Sequence, residues 1–195
     1  MKTLLTSVVV AICVMSATAQ TITRRVVVPD HVELSADLST LLNYADAIVV
    51  GQVVTHTQEA GRIGDQPHPI IRHKVRVLEV VKGPQGLIPG AIIDVVQPGG
   101  TARLGDVEVT ISDTEFPVFS IESKYIFILR SSWAAFASYA GPATVLPIVG
   151  DDRFILPRAA AHIDDLRSHR SDTVTALLSF LRGKTQRGRS ADCLN

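Results

Sequence analysis

The chain has 195 residues, 46% of them apolar and 19% charged, with 19 basic and 19 acidic side chains and two cysteines. Apolar content at the globular average and zero formal net charge exclude an intrinsically disordered chain and a collagen-like or low-complexity polymer. They also exclude a global cationic field that would gather nucleic acid or anionic membrane, and two cysteines cannot build a disulfide scaffold.

The first segment reads as an export signal. Lys2 precedes an apolar run over 4–15, and Ser16 and the triplet Ala17-Thr18-Ala19 follow it. A bilayer-spanning helix needs about 20 predominantly apolar residues, more than this run supplies, and the A-x-A triplet is a cleavage pattern of small residues. Cleavage is expected after Ala19, giving a secreted or periplasmic protein that starts at Gln20. Cys13 is not read as a lipid anchor, because Ile12 stands where that anchor needs a small residue. No later stretch is long enough to span a bilayer, so no stable membrane insertion is expected after cleavage. Loss of residues 1–19 also removes Lys2 and Cys13. Cys193 then remains as a lone thiol near the end of the chain, and an internal disulfide is impossible.

Leu34, Leu38, Leu41, Leu42 and Ala45 fall at helical spacing, with Ser35 as candidate N-cap. Residues 47–58 begin β-branched and apolar on both faces, which predicts a central strand, and Gly51 within them predicts a bulge or bend. Segment 59–69 holds two Gly and two Pro and reads as a loop. Residues 70–82 alternate, with Val75, Val77 and Val81 on one face, and predict a second long strand. A third strand is expected at 91–97, ended by Pro98-Gly99-Gly100, and further strands at 106–111, 124–130, 144–149 and 153–156. Ala159, Ile163 and Leu166 mark one helix. Val174, Leu177, Leu178 and Leu181 mark another, stopped by Gly183. Residues 184–195 are polar and read as a flexible tail. Strands roughly ten residues apart between turn signals suggest a meander or small barrel with helices at its ends, in one domain over 20–183.

The segments ADAIVVGQVV (45–54), HKVRVLEVVKG (73–83) and FSIESKYIFIL (119–129), with the Gly99-Gly100 turn, resemble the strand signature of netrin-like OB-fold domains. They are also similar to uncharacterised exported bacterial proteins of the same strand pattern. The best-known netrin-like members are the tissue inhibitors of metalloproteinases, whose "A-D-x-V" strand and "V-x-K-G" strand end are echoed by Ala45, Asp46, Ile48, Val53, Val81, Lys82 and Gly83. The resemblance implies a mainly β fold, a small OB-like antiparallel barrel with flanking helices. Those inhibitors chelate the protease zinc through an N-terminal cysteine in a disulfide-linked domain. A chain that starts at Gln20 and has no cysteine before Cys193 departs from that mechanism.

Three constellations bear on function. His162, Asp165 and His169 lie at i, i+3 and i+7 beside an apolar stripe, with His68 or His73 as a fourth donor only by folding back. Zinc needs three or more converging ligands, and two helical turns separate His162 from His169, so no metal is assigned. Arg72, Lys74 and Arg76 share one strand face. No Phe, Tyr or Trp occurs from 45 to 115 on which bases would stack, so a solvated or salt-paired face is expected and no nucleic acid. Eight of the ten aromatics lie from Phe116 to Phe154. Among them Trp133, Phe136 and Tyr139 recur every third residue, a candidate adhesive patch for a protein or sugar partner as well as candidate barrel-end filling.

Catalytic templates find no match: there is no G-x-S-x-G elbow, no H-E-x-x-H and no phosphate loop. The pairs Asp151-Asp152 and Asp164-Asp165 suit turns and first helical turns. The expectation is an exported binding or interaction module of unidentified ligand, without catalytic residues or cofactor. A metalloprotease-inhibitor-like protein and a metal-dependent hydrolase using His162 and His169 stand as alternatives.

Overall fold

The computed structural model describes residues 22–27, 37–63, 66–113, 116–132, 135–138 and 141–192. The chain is mainly β, with antiparallel sheets and three α-helices among the described residues. The strands are β1 (Ile22–Val27), β2 (Ala47–Ile63), β3 (Gln66–Lys82), β4 (Ile92–Pro98), β5 (Gly100–Leu104), β6 (Val107–Ser112), β7 (Lys124–Ser132), β8 (Ala135–Ser138), β9 (Val145–Val149) and β10 (Arg153–Phe154). The helices are α1 (Leu38–Tyr44), α2 (Asp164–Ser168) and α3 (Val174–Asp192).

Seven strands follow the order β10-β9-β7-β2-β3-β4-β8, and β8 pairs also with β7. A smaller sheet has the order β1-β6-β5, in which β1 runs parallel to β6. The central position expected for the strand from Ala47 is found, β2 lying between β3 and β7. Over its first residues, up to Val53, both faces are buried. Ile48 and Val50 pack with Leu38, Leu41, Leu166, Leu177 and Leu181 in a helix-side core, whereas Ala47, Val49 and Val53 join Val75, Val95, Phe119 and Phe127 in an interior core.

Three local expectations are corrected. The first helix is capped by Asp37 rather than Ser35: the Asp37 carboxylate accepts from Thr40 N at 2.6 Å, which also holds its pKa below the ordinary value. Residues 59–63 and 66–69 of the expected loop are strand instead, because the β2–β3 ladder continues to Ile63↔Gln66. Gly61, which reads as a turn signal, is instead a place where a Cβ would collide with the Ile70 side chain. The last helix does not stop at Gly183 but runs to Asp192. Gly183 is tolerated inside an exposed helix at a cost of about 1 kcal/mol, and Lys184 beyond it reaches Asp165 at 3.1 Å, docking the next turn on α2.

The bulge expected at Gly51 is present, with the register shifting between Val50 and Gly51. The polar residues behind the family resemblance have structural work. Asp46 Oδ2 accepts from Ser131 N at 2.7 Å, tying the start of β2 to β7, and Lys82 Nζ donates to Leu42 O at 2.8 Å, satisfying a carbonyl at the end of α1. Residues 1–19, read above as an export signal, and Cys193 lie outside the described residues.

Candidate functional site

The pleat of β3 decides which of its side chains look inward. Ile71, His73, Val75 and Val77 are buried while Lys74, Arg76 and Leu78 are exposed, so a histidine takes a core position in an aliphatic row. β4 repeats the device, with Ile93, Val95 and Gln97 buried. On β2 the ladder slips beyond Val53: Val53 pairs with Val75, Thr55 with Lys74 and His56 with His73. A one-residue slip exchanges the faces of all residues past it, and this one sets His56 opposite His73.

Gln97 fixes the chemistry of the group. Its Nε2 donates to Phe116 O at 2.7 Å and Pro117 O at 3.1 Å, which leaves Oε1 to meet His73 Nε2 at 3.0 Å. An amide oxygen only accepts, so His73 carries its proton on Nε2 and a lone pair on Nδ1. The Nδ1 atoms of both His73 and His56 are buried and have no hydrogen-bond partner among the described residues. The two rings lie 5.7 Å apart between centres, at 66°. Phe119 covers His73 at 4.4 Å and is itself in contact with Phe116, Tyr125 and Phe127. Burial in this apolar setting lowers the His73 pKa to about 4, opposed by the Gln97 hydrogen bond and reinforced by His56.

Gln97 also lines a cleft of about 360 Å³, bounded by the β4–β5 turn, the β5–β6 hairpin, Asp113 and Phe116, Pro117 and Val118. The turn needs its glycines: Gly99 and Gly100 have φ of 121° and 85°. A Cβ on Gly100 would also stand 2.9 Å from Ile71 Cγ1 and 3.0 Å from Gln58 Oε1. Gln58 Oε1 accepts from Thr101 N at 2.6 Å, and the hydroxyls of Thr101 and Thr110 meet at 2.8 Å. Asp113 Oδ1 accepts from Phe116 N at 3.1 Å, tying down the mouth. None of the lining residues is basic and Asp113 is acidic, so the walls offer amides, hydroxyls, one carboxylate and apolar surface rather than an anion site.

The other candidates are placed as follows. Arg72 contacts Glu59 at 2.7 Å and Asp94 at 3.6 Å, and Lys74 contacts Asp94 at 2.6 Å; this is a salt-paired face, with Arg76 exposed beside it. His162, Asp165 and His169 are not on one helix, since α2 covers only Asp164–Ser168. His169 Nδ1 meets Asp172 at 2.6 Å and Asp165 meets Lys184. No group of three or more His, Cys, Asp or Glu converges on a common point among the described residues. Asp164 pairs with Arg167 at 2.5 Å, and Asp152 Oδ1 accepts from Thr175 N at 3.3 Å at the start of α3. Phe136 is half-buried against the interior core, its register partners being Val95 and Ser131. Trp133 and Tyr139 lie outside the described residues.

His56 and Gln97 are the residues that sequence reasoning missed. A signal for Gln97 exists, a polar residue on the buried parity of an alternating strand. None exists for His56, whose parity depends on the bulge. No protein-family model matches the chain, and no curated protein matches it.

Proposed function

We propose that this chain is an exported, non-catalytic binding module on an OB-like barrel, and that it takes a neutral polar ligand in the cleft between the β4–β5 turn, β6, Asp113 and residues 116–118. Export rests on the pattern of residues 1–19. The barrel reading is supported by the pairing sequence: β2 with β3, β3 with β4, β4 with β8, β8 with β7, and β7 again with β2. β4–β8 is the parallel step in that cycle, which follows when a three-strand meander is joined by a returning pair.

The cleft carries the ligand reading. It combines a glycine turn, two glutamine amides, threonine hydroxyls and the Asp113 carboxylate, whose Oδ1 is already engaged by Phe116 N, with apolar walls, the mixture by which small-molecule sites orient a ligand. Metal-assisted hydrolysis at His162 and His169 gains nothing from the geometry, because no third His, Cys, Asp or Glu converges with them among the described residues. No helix among the described residues is long and apolar enough to cross a membrane.

Val118 lines the cleft and is 43% exposed, so Val118→Trp obstructs the mouth without entering the core. Thermal unfolding with a panel of neutral monosaccharides and neutral tripeptides is the test. At least one probe raises the midpoint of the parent and leaves Val118→Trp unmoved, since a ligand that binds only the folded state stabilises it by mass action. Equal shifts in both proteins, or none in either, sink the reading.

A further inference from the structure

The geometry points to a buried two-histidine site for a monovalent d10 cation of the copper group, held between Nδ1 of His56 and Nδ1 of His73. Its two donors, His56 and His73, do not line the ligand cleft, whereas Gln97, which orients His73, borders both; the metal titration below tests it apart from the cleft reading. Four observations carry it. Each Nδ1 is buried without a hydrogen-bond partner among the described residues, and a buried polar atom left unpaired is costly enough to require an explanation. The register pairs the two residues directly, through a ladder slip that brings His56 to the buried face. The ring centres stand 5.7 Å apart. An imidazole nitrogen sits about 2 Å from a bound d10 ion, which places two rings sharing one ion about 6 Å apart between centres.

The fourth observation is the arrangement behind His73. A metal-bound histidine usually gives its remaining ring N–H to a fixed acceptor, which sets the tautomer and the ring orientation. Here His73 Nε2–H is given to Gln97 Oε1, and Gln97 is itself immobilised by the carbonyls of Phe116 and Pro117. The lone pair on Nδ1 is therefore presented whether or not an ion is bound. Burial keeps that ring neutral to about pH 4, so protons do not compete for it near neutrality.

The donor set selects the ion. Two imidazoles, His73 under the Phe119 ring and the half-buried His56 beside it, with no third His, Cys, Asp or Glu converging among the described residues, cannot complete the four ligands that zinc takes. Carboxylate-seeking calcium and magnesium are excluded for the same reason. Copper(I) and silver(I) accept two nitrogen ligands in a near-linear arrangement and carry one charge, which limits the cost of placing the ion in an apolar interior.

The test uses the full chain carrying Cys13→Ser and Cys193→Ser, so that no thiol competes, with silver(I) as the redox-silent probe and copper(I) under anaerobic ascorbate as the second arm. Long-range proton–nitrogen NMR reads the imidazole nitrogens during titration. With the first equivalent of either ion, Nδ1 of His56 and of His73 shift together, Nε2 of His73 stays protonated, and the other histidines do not move. His56→Ala weakens binding at least about 100-fold while circular dichroism remains that of the parent. Gln97→Ala weakens it about 10- to 100-fold, the usual effect of losing a partner that orients a metal-bound histidine. Zinc(II) produces no such shifts. The proposal is overturned if neither ion moves these two nitrogens, if another histidine responds first, or if a folded His56→Ala variant binds as tightly as its parent.

Discussion

The helix-side core and the interior core share β2 and β7 but are made of different material. Between the sheet and the helices lie the aliphatic side chains of Leu38, Leu41, Ile126, Leu166, Leu177 and Leu181. On the other face Phe119, Tyr125 and Phe127 surround Val75 and Val95, and the fully buried His73 and Gln97 lie among them. An aliphatic core contributes by area and close packing, which do not depend on pH. A core that encloses an imidazole has a stability that depends on the proton, and it is the one that borders the cleft. The difference separates an aliphatic packing core from one that carries a buried, hydrogen-bonded polar pair.

Truncation should break the helix-side core most severely. Leu177 is 0% exposed, and Leu177→Ala is expected to cost about 2–5 kcal/mol through lost burial and the remaining cavity. Denaturant unfolding should give the same loss at pH 7 and at pH 5. A loss that changed strongly with pH would mean that the two cores are not independent.

The interior core should respond to acid instead. His73 has its pKa lowered to about 4 in the folded chain, from 6.5 in an exposed one. Between those values the unfolded state binds the extra proton, so stability is full above about pH 6.5 and falls as pH drops toward 4, by about 3 kcal/mol in all. Below pH 4 this group adds no further slope. Unfolding measured from pH 7 to 4 with chelator present should show the decline, and His73→Phe should flatten it. An unchanged slope in a folded His73→Phe variant would assign the effect elsewhere.

The same contrast governs what was legible in the sequence. Leu38, Leu41, Leu42, Ala45, Leu177, Leu178 and Leu181 announce themselves by helical spacing, and all are buried as that spacing implies. The central place of β2 follows from its two-faced apolar start. The site was less legible because its parts depend on long-range register. His56 reaches the buried face only through the slip past Val53, and Gln97 acquires its role from carbonyls at Phe116 and Pro117, across a segment that sequence pattern leaves unassigned. Strands β1 and β5 were missed for a related reason, since each is defined by its pairing with β6 rather than by its own periodicity.

The smallest effect tests where the helix-side core ends. Glycine after an apolar helical run normally marks a C-terminus, because it adopts the left-handed conformation that closes a helix. Gly183 is not among the glycines with positive φ, lies within α3, and has open space where a Cβ would stand. On either side of it Leu181 is buried among the helices and Lys184 reaches Asp165. Gly183→Ala should therefore stabilise the chain, by about 0.5–1 kcal/mol, because alanine keeps the helical conformation and narrows the unfolded ensemble. The opposite sign would follow if the helix closed at this glycine, since alanine is strained in a left-handed cap. Urea unfolding of the single variant decides between the two, and a destabilised Gly183→Ala would return residues 184–192 to the tail that composition alone suggests.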